Sequence, residues 1–319
     1  SFLSYKVTDA FTLNFLGNFS LNNYNYTPIS RRTRFGTVNA PIELTVFYEG
    51  QEKNNYLTLF GALSANYEVN DAIDLTATAS SYNTQEEEYF DIAAAYNLGE
   101  VDANVGSEDF GEVEFSEGIG SQLNHARNDL DALISNFQFK GTYKKEALEI
   151  SAGLKYQQED IKDRIREWEI IDSLGFSVRP PLTAGNNQPY VSFEGPILPY
   201  QNIRADNNVQ INRVSGFIQL NEKRLWKDHE IWYSVGVRAQ NWKVTGNGVP
   251  SKNQITISPR GQFAIKPDWS QDMLFRVSGG WYSQPPSYRE LKDYDGQLNV
   301  DVKAQKSIHF VSGMDYSFQ

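Results

Sequence analysis

The chain has 319 residues, a net charge of −11, no cysteine, and 13% aromatic residues, among them 18 Tyr and 19 Phe. The acidic balance, with a pI of about 4.9, removes nucleic acid as a partner, because a nucleic-acid footprint needs a basic face. Mean hydropathy is −0.52 and no window approaches the ~18 apolar residues of a transmembrane helix, which excludes helical spans but not strands of ~10 residues with one apolar face.

In chain order the predicted elements are strands. The start, SFLSYKVTDAFTLNF, reads as strand, turn and strand, with no leader pattern ahead of it, so any signal peptide is expected upstream or removed. Phe11, Leu13, Phe15, Gly17, Phe19 and Leu21 share one side of an extended chain, because successive side chains point to opposite faces. The same alternation recurs over 57–67, 75–82, 88–99, 132–143, 148–156, 214–220, 231–239, 255–265, 273–281 and 308–316. The alternate positions carry Thr, Ser, Asn, Gln, Lys, Arg, Asp and Gly. About a dozen strands result, without a solenoid or propeller repeat.

The connections fall into two classes. YEVNDAIDL, YKKEALEI, LNEKRLWKDHEIW and IKPDWSQDML are short charged turns, whereas 22–41, 100–130, 158–210 and 284–306 are long and rich in Gly, Pro, Asn and acidic residues. If the short turns share a rim, an even number of strands separates those at 69–74 and 143–148. The runs 75–82, 88–99 and 132–143 are odd in number, so a fourth strand is expected within 100–130, starting near GEVDANVG. One helix is expected, EDIKDRIREWEIIDSLG (159–175), inside the longest connection. A soluble sandwich also alternates. Segregation of turns by length, and aromatic pairs at strand ends (Trp281-Tyr282, Trp232-Tyr233), favour a barrel with interfacial girdles.

Motifs for catalysis are thin. His125, His229 and His309 lie far apart without metal-ligand spacing, and no nucleophile is marked beside His125, so no enzyme activity and no cofactor are expected. DYDGQLNVD (293–301) carries oxygen ligands that suit calcium but lacks the spacing and closing Glu of an EF-hand; a solvated acidic loop is the simpler reading.

ISPRGQFAIKPDWSQDMLFRVSGGWYSQPPSYREL and DVKAQKSIHFVSGMDYSF, with RFGT…PIELTVFYEGQE, HARND and EDIKDRIREWEIIDS, resemble the barrel of TonB-dependent outer-membrane receptors of Gram-negative cells, in particular the branch with an N-terminal carboxypeptidase-like domain. The resemblance implies an all-β transmembrane antiparallel barrel of 22 strands, with short periplasmic turns and long extracellular loops. Residues 1–319 would be its central part, with the plug domain, TonB box and C-terminal strands outside this stretch.

Import of a scarce ligand such as a siderophore or oligosaccharide, driven through the TonB complex, is the implied function. The alternative is a receptor-like scaffold in an outer-membrane assembly, with a surface lipoprotein as partner. The odd positions of 273–281 would meet membrane lipid, Pro285-Pro286 would begin an external loop, and Arg238, Arg260, Arg276 and Asp315 would face the lumen, plug or ligand. Trp168 and Tyr190 in the longest connection complete the ligand-facing set. For Arg238, Arg260, Arg276 and Asp315 the alternative is plain hydrogen bonding in the lumen wall.

Overall fold

The computed structural model describes residues 1–172 and 199–317. Twelve strands account for nearly all of it: β1 (Phe2–Lys6), β2 (Phe11–Tyr26), β3 (Arg31–Thr37), β4 (Ala40–Asn70), β5 (Ile73–Val101), β6 (Val113–Lys145), β7 (Leu148–Asp172), β8 (Pro199–Trp226), β9 (His229–Gly246), β10 (Val249–Lys266), β11 (Met273–Gln284) and β12 (Gln305–Tyr316). They form one antiparallel sheet in the order β1-β2-β4-β5-β6-β7-β8-β9-β10-β11-β12, with β3 on β4 beyond the end of β2. This up-and-down meander of neighbouring antiparallel strands is the architecture of a β-barrel wall.

Three sequence expectations change. Residues 159–175 form no helix where described: 159–172 belong to β7 and pair with β6 and β8. Cross-strand partners explain this, since Arg164 pairs with Asp129 and Asp160 accepts from Gln210 (2.9 Å). The runs 75–82 and 88–99 are a single strand, β5, continuous through Asn83–Glu87, and no additional strand lies within 100–130. Two strands, not four, therefore separate the turns at 69–74 and 143–148. The count is still even, so all four charged turns do share one rim. The long polar stretches are largely strand: β6 alone has 33 residues, against the ~9–11 that cross a bilayer.

Directly opposed residues share a face, so the registers define two continuous rows. Leu13, Ala65, Ala77, Phe139, Leu154, Gly216, Ala239 and Ile257 form an apolar row across β2 and β4–β10. One residue further along each strand, on the other face, lie Asn14, Ser64, Thr78, Gln138, Lys155, Ser215, Gln240 and Thr256. Phe19, Leu59, Leu63, Phe137, Leu154, Ile218, Ile257 and Phe310 are 52–76% exposed on the apolar face. In β4 that belt runs from Leu57 to Tyr67, about 34 Å along the strand and about 25 Å in height after barrel tilt.

Above the belt the polarity of the sheet inverts. In β7 the apolar side chains are even-numbered through Tyr156 and odd-numbered at Ile161 and Ile165, and in β8 Ile218 and Val214 give way to Ile211 and Val209. The belt face becomes charged there, with Asp129, Asp131, Asp160, Lys162 and Arg164. The formerly polar face presents buried Ala132, Ile161, Val209, Ile211, Trp242 and Val244.

Candidate functional site

The inverted upper face is covered by residues 285–304, which turn inward after Pro285-Pro286 instead of projecting outward. Tyr288, Leu291, Leu298 and Val300 from this strap pack on Ala132, Ile161, Val209, Ile211, Trp242 and Val244. Each large apolar side chain so buried contributes roughly 1.5–3 kcal/mol. The strap begins with a short 3-10 turn, Arg289–Leu291, closed by Glu290 accepting from the Ser287 amide (2.6 Å) and hydroxyl (3.0 Å).

Polar anchors fix its position. The Tyr288 hydroxyl donates to Asp163 Oδ2 (2.6 Å), and Lys292 Nζ reaches the same oxygen (2.8 Å). Burial, reinforced by the hydrogen bond to the Asp163 carboxylate, pushes the Tyr288 hydroxyl well above its ordinary pKa. Asn207 Nδ2 donates to the Gly296 carbonyl (2.7 Å), and Gln254 Nε2 to the Val302 carbonyl (2.9 Å). Gly296 has φ +74°, and a Cβ there would stand 3.1–3.2 Å from Ala205, Ile165 and Ile203, so only glycine suits the turn. The DYDGQLNVD stretch is thus a structured turn: Asp293 Oδ1 accepts from the amides of Asp295 (3.0 Å) and Gln297 (2.9 Å), and Asp301 pairs with Lys252. Among the described residues no group of three or more His, Asp or Glu side chains is arranged to hold a metal.

Between strap and sheet, where belt meets upper storey, lies a cavity of about 510 Å³. Lys155, Gln157 and Glu159 of β7, Arg213 and Ser215 of β8, and Arg238, Gln240 and Trp242 of β9 line it, under Pro285–Arg289. Arg213 bridges wall and strap, donating to Glu159 Oε1 (2.5 Å) and to the Pro286 carbonyl (2.8 Å). Gln157 Nε2 also donates to Glu159 (2.7 Å), and Arg289 pairs with Glu86 (3.2 Å). With its amide oriented to satisfy both groups, Gln240 accepts from Arg238 Nε (2.7 Å) and Nη2 (2.8 Å).

Of the residues singled out from sequence, Arg238, Arg260, Arg276 and Asp315 do share the polar face. Only Arg238 reaches the cavity. Arg260 lies over the Tyr282 ring, 4.3 Å from its centroid, and Arg276 pairs with Asp315 (2.8 Å). Trp168 is on the opposite face, stacked on His125 at 4.7 Å, while His125 Nδ1 lies 2.5 Å from Asp91. Tyr190 lies outside the described residues. Lys155, Arg213, Gln240, Trp242 and Tyr288 were missed, although Lys155 and Arg213 carry charge at positions whose parity already marked the polar face.

No family model matches the chain, and no curated protein matches it in sequence. Among solved structures, a copper transporter, OprC, is similar with a TM-score of 0.39 and 10% identity, over 95% of this chain and 51% of that one. The chain therefore spans about half the length of that transporter.

Proposed function

We propose that this chain is part of the wall of an outer-membrane, TonB-dependent receptor that binds and imports a scarce extracellular ligand. The observation that carries the reading is the belt: large apolar side chains stand exposed over about 25 Å of height, backed by a row of Asn, Ser, Thr, Gln and Lys. Hydrocarbon outside and a hydrated lumen inside account for both rows at once; in water that much contiguous apolar surface drives association. The belt then meets membrane lipid, the charged-turn rim faces the periplasm and the tall strands face outward. A plug domain of the same protein fills the lumen, the barrel closes at 22 strands, and the TonB complex supplies the energy.

The test is energised uptake. Cells carrying the intact protein should accumulate its ligand only with a functional TonB system; equal accumulation without TonB overturns the reading. The height of β4–β8 above the belt favours a second reading, a scaffold holding surface proteins such as lipoproteins. Stable co-purification of such a partner, together with TonB-independent behaviour, would select it.

A further inference from the structure

We propose that the cavity beneath Pro285–Arg289 binds a small amphipathic organic anion, its carboxylate or phosphate held between Lys155 and Arg238 and its apolar part laid against Leu130, Ile134 and Trp242. The proposal deepens the receptor reading and rests on it for biological use, but the binding chemistry follows from the cavity alone.

Charge balance is the first argument. The lining holds four cations, Lys155, Arg213, Arg238 and Arg289, and two carboxylates, Glu86 and Glu159. Glu159 is taken by Arg213 and Glu86 by Arg289. Among the described residues Lys155 and Arg238 are in no ion pair, so two positive charges share a half-enclosed space in a protein of net charge −11. Like charges brought together away from bulk water repel more strongly than in it, and an anion between them reverses the sign of that interaction.

Donor balance agrees. Gln240 receives one edge of the Arg238 guanidinium through Nε and Nη2, which fixes the plane and leaves further N–H groups for a ligand. Trp242 forms one wall, and its Nε1–H is buried without an acceptor, a condition that buried polar groups seldom tolerate. The unmatched groups are donors, and a metal cation would be repelled. A neutral sugar would leave both charges uncompensated. The volume falls within the ~300–1,000 Å³ of small-molecule sites, and Leu130, Ala132, Ile134 and Pro285-Pro286 supply apolar contact.

The test uses the intact protein in detergent and calorimetric titration with phenylacetate, phenyl phosphate and neutral phenylacetamide. The two anions should bind and the amide should not, with the tighter anion identifying carboxylate or phosphate as the preferred group. Lys155→Gln and Arg238→Gln should each weaken anion binding about tenfold or more, as expected for loss of a charged hydrogen bond. Lys140→Gln, on the same face but outside the cavity, should bind as wild type, and heat-modifiable gel mobility checks that each variant is folded. Absence of binding by both anions, equal binding of the amide, or wild-type affinity in the double variant overturns the site. If that happens while TonB-dependent uptake persists, the receptor reading stands without this site. Anion binding in a protein without energised uptake leaves the site standing and removes the import reading.

Discussion

Tyr288 and Asp163 are 125 residues apart in sequence, yet the tyrosine hydroxyl donates a 2.6 Å hydrogen bond to the carboxylate, with both side chains buried. Tyr288→Phe leaves Asp163 with Lys292 as its remaining strap donor, and loss of such a bond costs about 1–3 kcal/mol. The cost should fall on docking of the strap and not on the sheet. Because the chain has no cysteine, a spin label on Tyr294→Cys reports the strap alone. Its spectrum should sharpen in the Tyr288→Phe background; identical spectra would show that the bond does not hold the strap.

The same pair makes docking alkali-sensitive. Tyr288 is raised in the folded state, so its contribution is fully present below the ordinary tyrosine pKa of about 10 and is lost as pH rises through the higher folded value. Label mobility at residue 294 should therefore be flat from pH 7 to about 10 and rise above it. In Tyr288→Phe that alkaline rise should vanish. A rise of equal size in both proteins would assign it to other groups.

Leu154 sits in the middle of the belt, and Leu154→Arg should destabilise the protein by ~2–4 kcal/mol in lipid-based refolding. Ser80→Lys, on the polar face, should cost far less. Phe275 lies on the belt face only two residues from the start of β11, so a charge there should cost less than at Leu154. Core and lipid are separated by labelling Phe137, Gln138 and Phe139 in turn. Positions 137 and 139 should be open to dissolved oxygen and closed to a polar quencher, with 138 reversed. Shielding of 137 and 139 from both would remove the bilayer.

The β8–β9 hairpin turns on Lys227 and Asp228, with φ of 50° and 70°. Two residues at positive φ are the geometry of a type I′ turn, whose second position favours glycine. Asp228→Gly should stabilise by about 0.5–1 kcal/mol, visible as a higher urea midpoint with unchanged slope. A lower midpoint would mean that Asp228 makes an interaction that outweighs its backbone strain.

Strands were legible wherever one face was apolar and the other polar, which is why β2, β7 below Tyr156 and β9–β12 stood out. Legibility failed above the belt. Ile161, Ile165 and Trp168 have spacings that fit a helix, and the residue that breaks the pattern, Asp163, is matched by Tyr288 and Lys292 from the far end of the chain. No local window contains that match. Asn83–Glu87 reads as a gap because its side chains are polar on both faces, yet Asn83 bonds across to Asp131 (3.0 Å) and the ladder continues. The parity of Lys155 and Arg213 was available, but the strap that turns their face into a cavity was not.

The switch of polarity between Tyr156 and Ile161 also gives the wall a waterline. In a bilayer, sinking by one turn of the pleat would carry Asp160, Lys162 and Asp129 toward hydrocarbon, at up to ~2–4 kcal/mol for a basic group near the midplane. Rising would lift Tyr156 and Leu133, at the upper edge of the belt, into water. A wall so patterned would be ballasted at a single depth in a bilayer, and Lys155, Gln157 and Glu159 straddle that line. In the receptor proposed above, a ligand seated there would rest level with the lipid headgroups, at the last height where the surrounding wall is still wetted on both sides.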